Sequence, residues 1–426
     1  MSTILKKIIA LILAVAMLAA LAACSKSEPE DTTTVDQSQT SETPPLEITT
    51  AAPPPELATT EPQPETPSQE ATSGASDTET ENGSETARTT PAPPPSTQQK
   101  VGIAMPTQSL QRWDQDGSNM RLLFEAAGYE VELQYGDNEV QVQVSQIENM
   151  IASGCSLLVI AAIDSGSLTN VLAGAKGRGI PVIAFDRLIM DTDAVSYYAT
   201  FDNWKVGALQ GQHIVDALDL VSGAGPFNIE LFTCDPSDNN IDFFFDGAMS
   251  VLQPFIESGQ LDIPSGQAEK YAVATVGGST ENARERMESL ITANNYVPGG
   301  TPLHAVMCSN DSTAQGVTNA LRGAGFDAES FPIITGQDCE IESVKNMIEG
   351  TQSMSVFKDT RVLAGVVVDM SNSILAGFEP PINDRATYNN NTGIIPSFLC
   401  EPVAGTIDNY VALLIESGYY KEDDLA

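Results

Sequence analysis

The chain has 426 residues, 57 Asp and Glu against 20 Lys and Arg, and a formal net charge of −37. A balance this acidic excludes a nucleic-acid binder and repels an anionic lipid surface. The six cysteines include no CxxC pair, so neither a zinc site nor a disulfide framework is called for.

Taken in chain order, the first 24 residues read as a targeting segment. Lys6 and Lys7 give a positive start, Ile8 to Leu21 is apolar, and "LAAC" at Leu21 to Cys24 closes the stretch. The apolar run is short for a spanning helix, which needs ~20 residues, and its flanks suit an export signal. Residues 25–99 are a Ser-, Thr- and Pro-rich segment without an aromatic residue, carrying 14 acids against Lys26 and Arg88. Such a composition cannot bury enough apolar area to offset the entropy of ordering it, so it reads as a disordered acidic tether. With −12 there and +2 at Lys6 and Lys7, the remaining 100–426 carries −27. Its ligand is expected to be neutral or cationic.

From Lys100 strands and helices alternate. "VGIAMP" is a predicted strand and "WDQDGSNMRLLFEAAG" a helix closed by Gly128. "YEVELQY", "SLLVIAAI" and "IPVIAFD" are predicted strands, separated by the helices "EVQVQVSQIENMIASG" and "GSLTNVLAGAKGRG". After "SYYATFDN" comes a helix from Trp204 to Leu220, in which Trp204 reads as a packing residue. Strand "PFNIELFT", helix "DNNIDFFFDGAMSVLQPFI", strand "KYAVATV" and helix "TENARERMESLITANN" follow. "LHAVMCSND", "FPIITGQD" and "SMSVFKD" are three further strand units. The pattern predicts an α/β fold with two successive doubly wound, Rossmann-like lobes and parallel sheets.

Open α/β sheets bind ligands beyond the carboxyl ends of their strands. Here those ends are polar: "FDR", "CDPSDNN", "CSND", "TGQD" and "FKD". A single Asp in such a place is ordinary helix capping. Five endings in succession, with Arg187 and Lys358 among them, point to a cleft. Carboxylates and amides beside Arg and Lys suit a neutral polyhydroxylated ligand, since a carboxylate accepts from hydroxyls and a cation donates to ring and hydroxyl oxygens. "QRW", residues 111 to 113, adds a donor and an aromatic plane. Catalytic readings are weak. Each acid has a cation or amide for company, unlike a glycosidase pair. His213 falls in a helix and His304 opens a strand. There is no GxGxxG after a strand and no GxxxxGK[ST], and "DQDGSN" lacks the spacing of a calcium loop. No cofactor or metal is expected.

The motifs "VGIAMPT…RW", "QYGDNEVQVQVSQIENMIASG", "VIAFDRLI", "SYYATFDNWKVGALQ", "TGQD" and "VFKDTR" resemble the bacterial sugar-binding proteins of ABC importers, in particular multiple-sugar receptors and xylose-binding proteins. The likeness spans Lys100 to the C-terminus. It implies the type I periplasmic-binding-protein fold, two lobes joined by three crossover strands: lobe 1 about 100–202 plus 359–396, and lobe 2 about 203–358 plus 397–426. It implies a monosaccharide, an aldose such as xylose, glucose or galactose, held by Arg112, Trp113, Asp186 and Arg187 of lobe 1, by Asp238, Asn240, Asn310 and Asp338 of lobe 2, and by Lys358 at a crossover. It implies no catalysis and a monomer that serves an ABC permease, with a chemoreceptor or sensor kinase as the alternative partner. "LAAC" resembles a lipobox, which implies lipid on Cys24 and a place on the outer face of a cell membrane without an outer membrane beyond it. Membrane contact is then through the lipid only. Relatives carry a Trp where this chain has Gly278, so the second lobe is expected to lack an aromatic plane.

Overall fold

The structure, a computed structural model, describes residues 98–426; the signal segment expected over 1–24 and the tether expected over 25–99, up to residue 97, lie outside the described residues. Gln98 and Gln99 already belong to the fold: the Gln98 amide donates to Gly128 O at 2.9 Å, and Glu130 N donates to Gln99 O at 3.0 Å.

The first lobe is a six-stranded parallel sheet. Its strands are β1 (Lys100–Met105), β2 (Glu130–Tyr135), β3 (Leu157–Ile160), β4 (Val182–Phe185), β5 (Tyr197–Phe201) and β11 (Ser397–Cys400), in the order β11-β5-β4-β3-β1-β2. Central strands β3 and β4 are buried at every residue, as a sheet covered on both faces requires. The two-residue period of a strand splits them between two cores. Leu158 and Ile160 pack with helices α2 (Val140–Ala152) and α3 (Thr169–Gly177). Leu157 and Val159 face α1 (Gln111–Ala126) and α9 (Thr360–Leu375).

The second lobe has a four-stranded parallel sheet in the order β7-β6-β8-β9, made of β6 (Phe227–Phe232), β7 (Leu261–Asp262), β8 (Ala305–Cys308) and β9 (Ile333–Ile334). An antiparallel pair, β10 (Met354–Phe357) with β12 (Val403–Thr406), joins it through a bridge from Val356 to Gln337. Helices α4 (Asn203–Ala217) and α5 (Asn240–Glu257) cover one face; α6 (Thr280–Asn294) and α7 (Asp311–Gly323) cover the other, and α8 (Ile341–Glu349) packs beside β10.

Two expectations change. "KYAVATV" is not a strand. It forms short 3-10 turns at Lys270–Val273 and Val276–Gly278 and makes a strand-like pairing only where Ala274 bridges Thr233. Its apolar residues cannot all face a core: Val273 is buried while Tyr271 and Val276 stay exposed. The edge strand is instead Leu261–Asp262. The lobe boundary also moves, because β11 pairs with β5 along its whole length. The chain therefore crosses between lobes after Phe201, after Phe357 and after Cys400, not at residue 396. Two of these crossings end in a helix cap: Asp202 accepts from Lys205 N at 3.0 Å and Asp359 from Arg361 N at 3.0 Å.

Helices α4 and α5 cross at glycines. A β-carbon on Gly207 would stand 1.9 Å from Phe244 O, and one on Gly247 would stand 2.1 Å from Trp204 O. Gly207→Ala must push the helices apart. It is expected to cost at least the ~1–3 kcal/mol of an overpacked core and to lower the urea midpoint of the folded chain accordingly; an unchanged midpoint would show that this crossing yields freely.

Candidate functional site

The strand ends of both lobes meet around a cavity of about 550 Å3, counting its open mouth. Eight of the nine residues expected from the sequence line it: Arg112, Trp113, Asp186, Arg187, Asp238, Asn310, Asp338 and Lys358.

Arg112 and Trp113 stand in the first turn of α1. The guanidinium is 5 % exposed and spends each nitrogen on a different carboxylate: Nε on Asp116 at 2.5 Å, Nη2 on Asp186 at 2.8 Å, Nη1 on Asp338 at 2.9 Å. The last bond crosses from lobe 1 to lobe 2. Lys358, just past β10, lies 2.9 Å from Asp338 and 3.9 Å from Asp186.

Asp186 and Arg187 are adjacent but do not pair with each other. Asp186 sits at φ 56°, a left-handed turn that ends β4. Its carbonyl accepts from Tyr198 Oη at 2.6 Å, Thr200 Oγ1 at 3.0 Å and Asn240 Nδ2 at 2.7 Å. Arg187 turns the other way. Its Nη1 donates to Ala162 O and Ile163 O at 3.2 and 3.0 Å, and its Nε lies 3.1 Å from Asp238 of lobe 2. That N–H is not aligned with the carboxylate and has no hydrogen-bond acceptor among the described residues. The carbon of the Arg187 guanidinium stands 5.2 Å from the Trp113 ring centroid.

Asn240 is the exception. It is buried behind the cavity, and its Oδ1 accepts from Asn203 at 2.9 Å and from Tyr198 Oη at 3.2 Å. It holds the Asp186 turn in place and does not line the cavity. Asn310 lines the cavity while anchoring its own loop, donating to Ser312 Oγ and accepting from Thr313 Oγ1.

The cavity also contains residues that were not singled out. Gln337 and Glu340 flank Asp338 in "TGQDCE", and Asp235 precedes Asp238 in "CDPSD"; each was readable from the same strand-end argument. Gln337 Oε1 is buried without a donor among the described residues. Phe244, which helical spacing reads as core, reaches the cavity from α5. The second lobe therefore does present an aromatic ring, although Gly278 stands where a Trp was expected.

With this geometry in view, the comparisons with known proteins are decisive. Residues 101–379 match the family model "Periplasmic binding protein domain". The chain belongs to the periplasmic binding protein family. It is 49 % identical over 329 residues to the multiple sugar-binding periplasmic receptor ChvE of Rhizobium radiobacter, covering 76 % of this chain and 92 % of that protein. It is 35 % identical to the D-xylose-binding periplasmic protein of Escherichia coli K12, with the same two coverages. Among solved structures, an ABC transporter solute-binding protein from Clostridium phytofermentans with bound β-D-glucose is 58 % identical, with a TM-score of 0.75, covering 77 % of this chain and all of that one. A carbohydrate transporter solute-binding protein from Chloroflexus aurantiacus, in complex with D-glucose, is 34 % identical, with a TM-score of 0.68, covering 76 % and 98 %. The fold is the type I periplasmic-binding-protein fold, α/β with parallel sheets in two lobes.

In this periplasmic binding protein the cleft acids differ in their protonation. Burial raises the Asp186 carboxyl, but Arg112 and Lys358 more than offset it and hold it below the ordinary carboxylate range. Asp116 is pushed up to about 7 by burial, against the pull of Arg112. Glu340 is raised to about 7 by burial and by the nearby Asp338 charge. It accepts from Gln315 at 2.9 Å, and its N–H donates to the buried Asp311 carboxylate at 2.8 Å.

A raised carboxyl binds its proton more tightly in the folded chain than in the unfolded one. Glu340 thus adds stability below its unfolded pKa, ~4.5, and loses that share as pH rises through about 7. Glu340→Gln should remove it: the fall in stability between pH 5 and pH 8, measured by urea denaturation, should shrink by about 2–3 kcal/mol relative to the natural chain. Equal pH slopes for both proteins would show that Glu340 stays ionised.

Proposed function

We propose that the chain is an exported, lipid-anchored solute-binding protein that captures an aldose between its lobes and delivers it to an ABC permease. The observation that carries this reading is the ring of charge-paired carboxylates, Arg and Lys drawn from both lobes around one cavity, with Trp113 and Phe244 beside it. A sugar hydroxyl satisfies the buried Arg187 Nε donor by accepting from it and the Gln337 Oε1 acceptor by donating to it. An apolar sugar face packs on the aromatic rings. The paired charges leave a neutral ligand without a counter-ion requirement. Relatives described with bound glucose or named for xylose support an aldose of this size.

The function is binding and not turnover. Asp186 is held in its ionised form by Arg112 and Lys358, which opposes the role of a proton donor. Closure does the work: a ligand that touches both lobes favours the closed arrangement by its differential affinity. A second reading, sugar sensing through a membrane receptor or sensor kinase, is favoured by the relative described as a receptor. The two share this site and this closure.

The sugar reading is tested by calorimetry on a chain starting at residue 98. Xylose, glucose or galactose is expected to bind with a Kd around micromolar, roughly −8 kcal/mol. Asp338→Asn removes the carboxylate shared by Lys358 and, across the cleft, Arg112. Loss of one partner from such a set costs ~2–5 kcal/mol, so affinity should fall roughly thirty-fold or more while the ligand-free melting temperature changes little. Sugar affinity that survives while apo stability collapses would assign Asp338 to the fold. Absence of heat with every aldose, beside binding of an amino acid or nucleoside, would remove the sugar reading.

The anchor is tested separately. Cys24→Ala should leave the protein unprocessed or free it from the membrane fraction with sugar affinity unchanged, since a polar tether does not hold a membrane and stable anchoring needs lipid. A variant that is processed normally and stays fully in the membrane fraction would refute the lipobox reading.

A further inference from the structure

Several cleft residues have an immediate neighbour that lines a different cavity. Asp186 and Arg187 line the first cavity, whereas Leu188 and Met190 line a second. Asp238 belongs to the first and Asn239 to the second; Phe244 belongs to the first and Phe243 to the second. The two cavities share a wall, made of the segment after β4 and the start of α5. The second measures about 860 Å3 with its open mouth. Like the first, it is built from both lobes, with Tyr388 and Asn389 contributed by lobe 1 and Trp204 and Asp242 by lobe 2. Across it, Leu188 N of lobe 1 donates to Asn239 Oδ1 of lobe 2 at 3.0 Å.

Its floor is aromatic. The rings of Phe243 and Tyr388 lie 4.7 Å apart and are tilted by 39°. At its rim stands Trp204, 47 % exposed although its backbone is locked against Gly247 of α5. The sequence reading of Trp204 as a packed residue therefore holds for its backbone and not for its ring. Polar groups around the floor are uncommitted. Lys270 takes Oδ1 of Asp242 at 2.8 Å and Oδ1 of Asp246 at 2.9 Å, leaving both Oδ2 atoms. The Trp204 indole N–H and the Nδ2 groups of Asn239 and Asn389 donate to nothing among the described residues.

We propose that this second cavity is a binding site for a neutral saccharide unit, separate from the first. An aromatic floor fits the C–H face of a pyranose, the amide and indole donors fit its hydroxyl oxygens, and the free carboxylate oxygens accept its hydroxyl protons. Two carboxylates against one lysine exclude an anionic sugar. No buried cation strengthens the contacts, so the affinity is millimolar where the first site's is micromolar.

The chain has two tryptophans, one in each cavity, which separates the sites optically. In the full-length Trp113→Phe chain Trp204 is the sole emitter. Titration with D-glucose or cellobiose up to ~100 mM should give a saturable blue shift and loss of acrylamide quenching at millimolar sugar, and D-glucuronate should give neither. The millimolar response should persist with its midpoint unchanged when Asp338→Asn is added to weaken the first site. A Trp204 response that is absent, or that vanishes with Asp338→Asn, overturns the proposal. Saturation-transfer NMR of cellobiose on the natural chain gives an independent reading: millimolar binding lost in the surface variant Trp204→Ala supports the site, and binding unaffected by that variant sinks it. Trp113 emission in the full-length Trp204→Phe chain reports the first site alone, so failure of the aldose reading there is distinguishable from failure here.

Discussion

The cleft is organised by one cation. Arg112 is buried, and a buried guanidinium persists only where its donors are matched by counter-charge. Three carboxylates supply it, each from a different place in the chain: Asp116 one helical turn on, Asp186 at the end of β4, and Asp338 from the other lobe. The first is internal to α1, and the second fixes that helix to the central sheet of lobe 1. The third makes the same group a hinge-side contact whose geometry depends on how the lobes meet. Few single side chains in this fold join a helix, a sheet and a second lobe, and the position of Trp113 follows directly from that of its neighbour.

That arrangement has an electrostatic consequence. The cavity is lined by Asp186, Asp235, Asp238, Asp338 and Glu340 against Arg112, Arg187 and Lys358. Acids outnumber bases, and Asp116 and Asp311 stand directly behind. Such a cluster cannot carry all its formal charge in a low-dielectric interior, so some of its members hold protons. Asp186, touching Arg112, is driven below the ordinary range, while Glu340, held by Gln315, rises to about 7. Contact with a guanidinium does not decide the matter alone: Asp116 also touches Arg112, and burial still pushes it up to about 7. The site then approaches neutrality, which suits a ligand bearing hydroxyls and no charge.

Most of the architecture is visible in the sequence because it rests on short-range physics. Fully apolar four-residue runs such as "LLVI" and "VIAF" are legible as covered strands, and the polar residues that follow them mark the cleft. What escaped is what depends on partners far along the chain. "KYAVATV" alternates like a strand, but it has only a one-residue bridge to pair with. Asn240 sits two residues from Asp238 in the same polar strand ending. A helical turn aims it at the Asp186 carbonyl and not at the cavity. Arg187 stands next to Asp186 in the chain, yet the left-handed turn at Asp186 sends the two side chains to different partners, Asp186 to Arg112 and Arg187 to Asp238.

The second-lobe wall shows how backbone conformation constrains the chemistry available. Gly277 and Gly278 both line the cavity and both take positive φ, 69° and 58°. The Gly277 N–H donates to Asp235 Oδ2, which ties the turn to the strand end of β6. Space is not the obstacle to a larger residue at 278, since a β-carbon there would meet only Asn310 Nδ2, at 3.8 Å. The obstacle is the left-handed backbone, which costs a non-glycine residue roughly 1–2 kcal/mol. An indole at 278 would carry that cost for as long as the turn, tied to Asp235 through Gly277, is kept. With the turn kept, the aromatic surface of this lobe must come from a regular element, and α5 supplies it at Phe244, whose helix is pinned against α4 at Gly207. The ring is thereby presented by a rigid helix crossing and not by a loop, which preorganises the face against which a ligand closes.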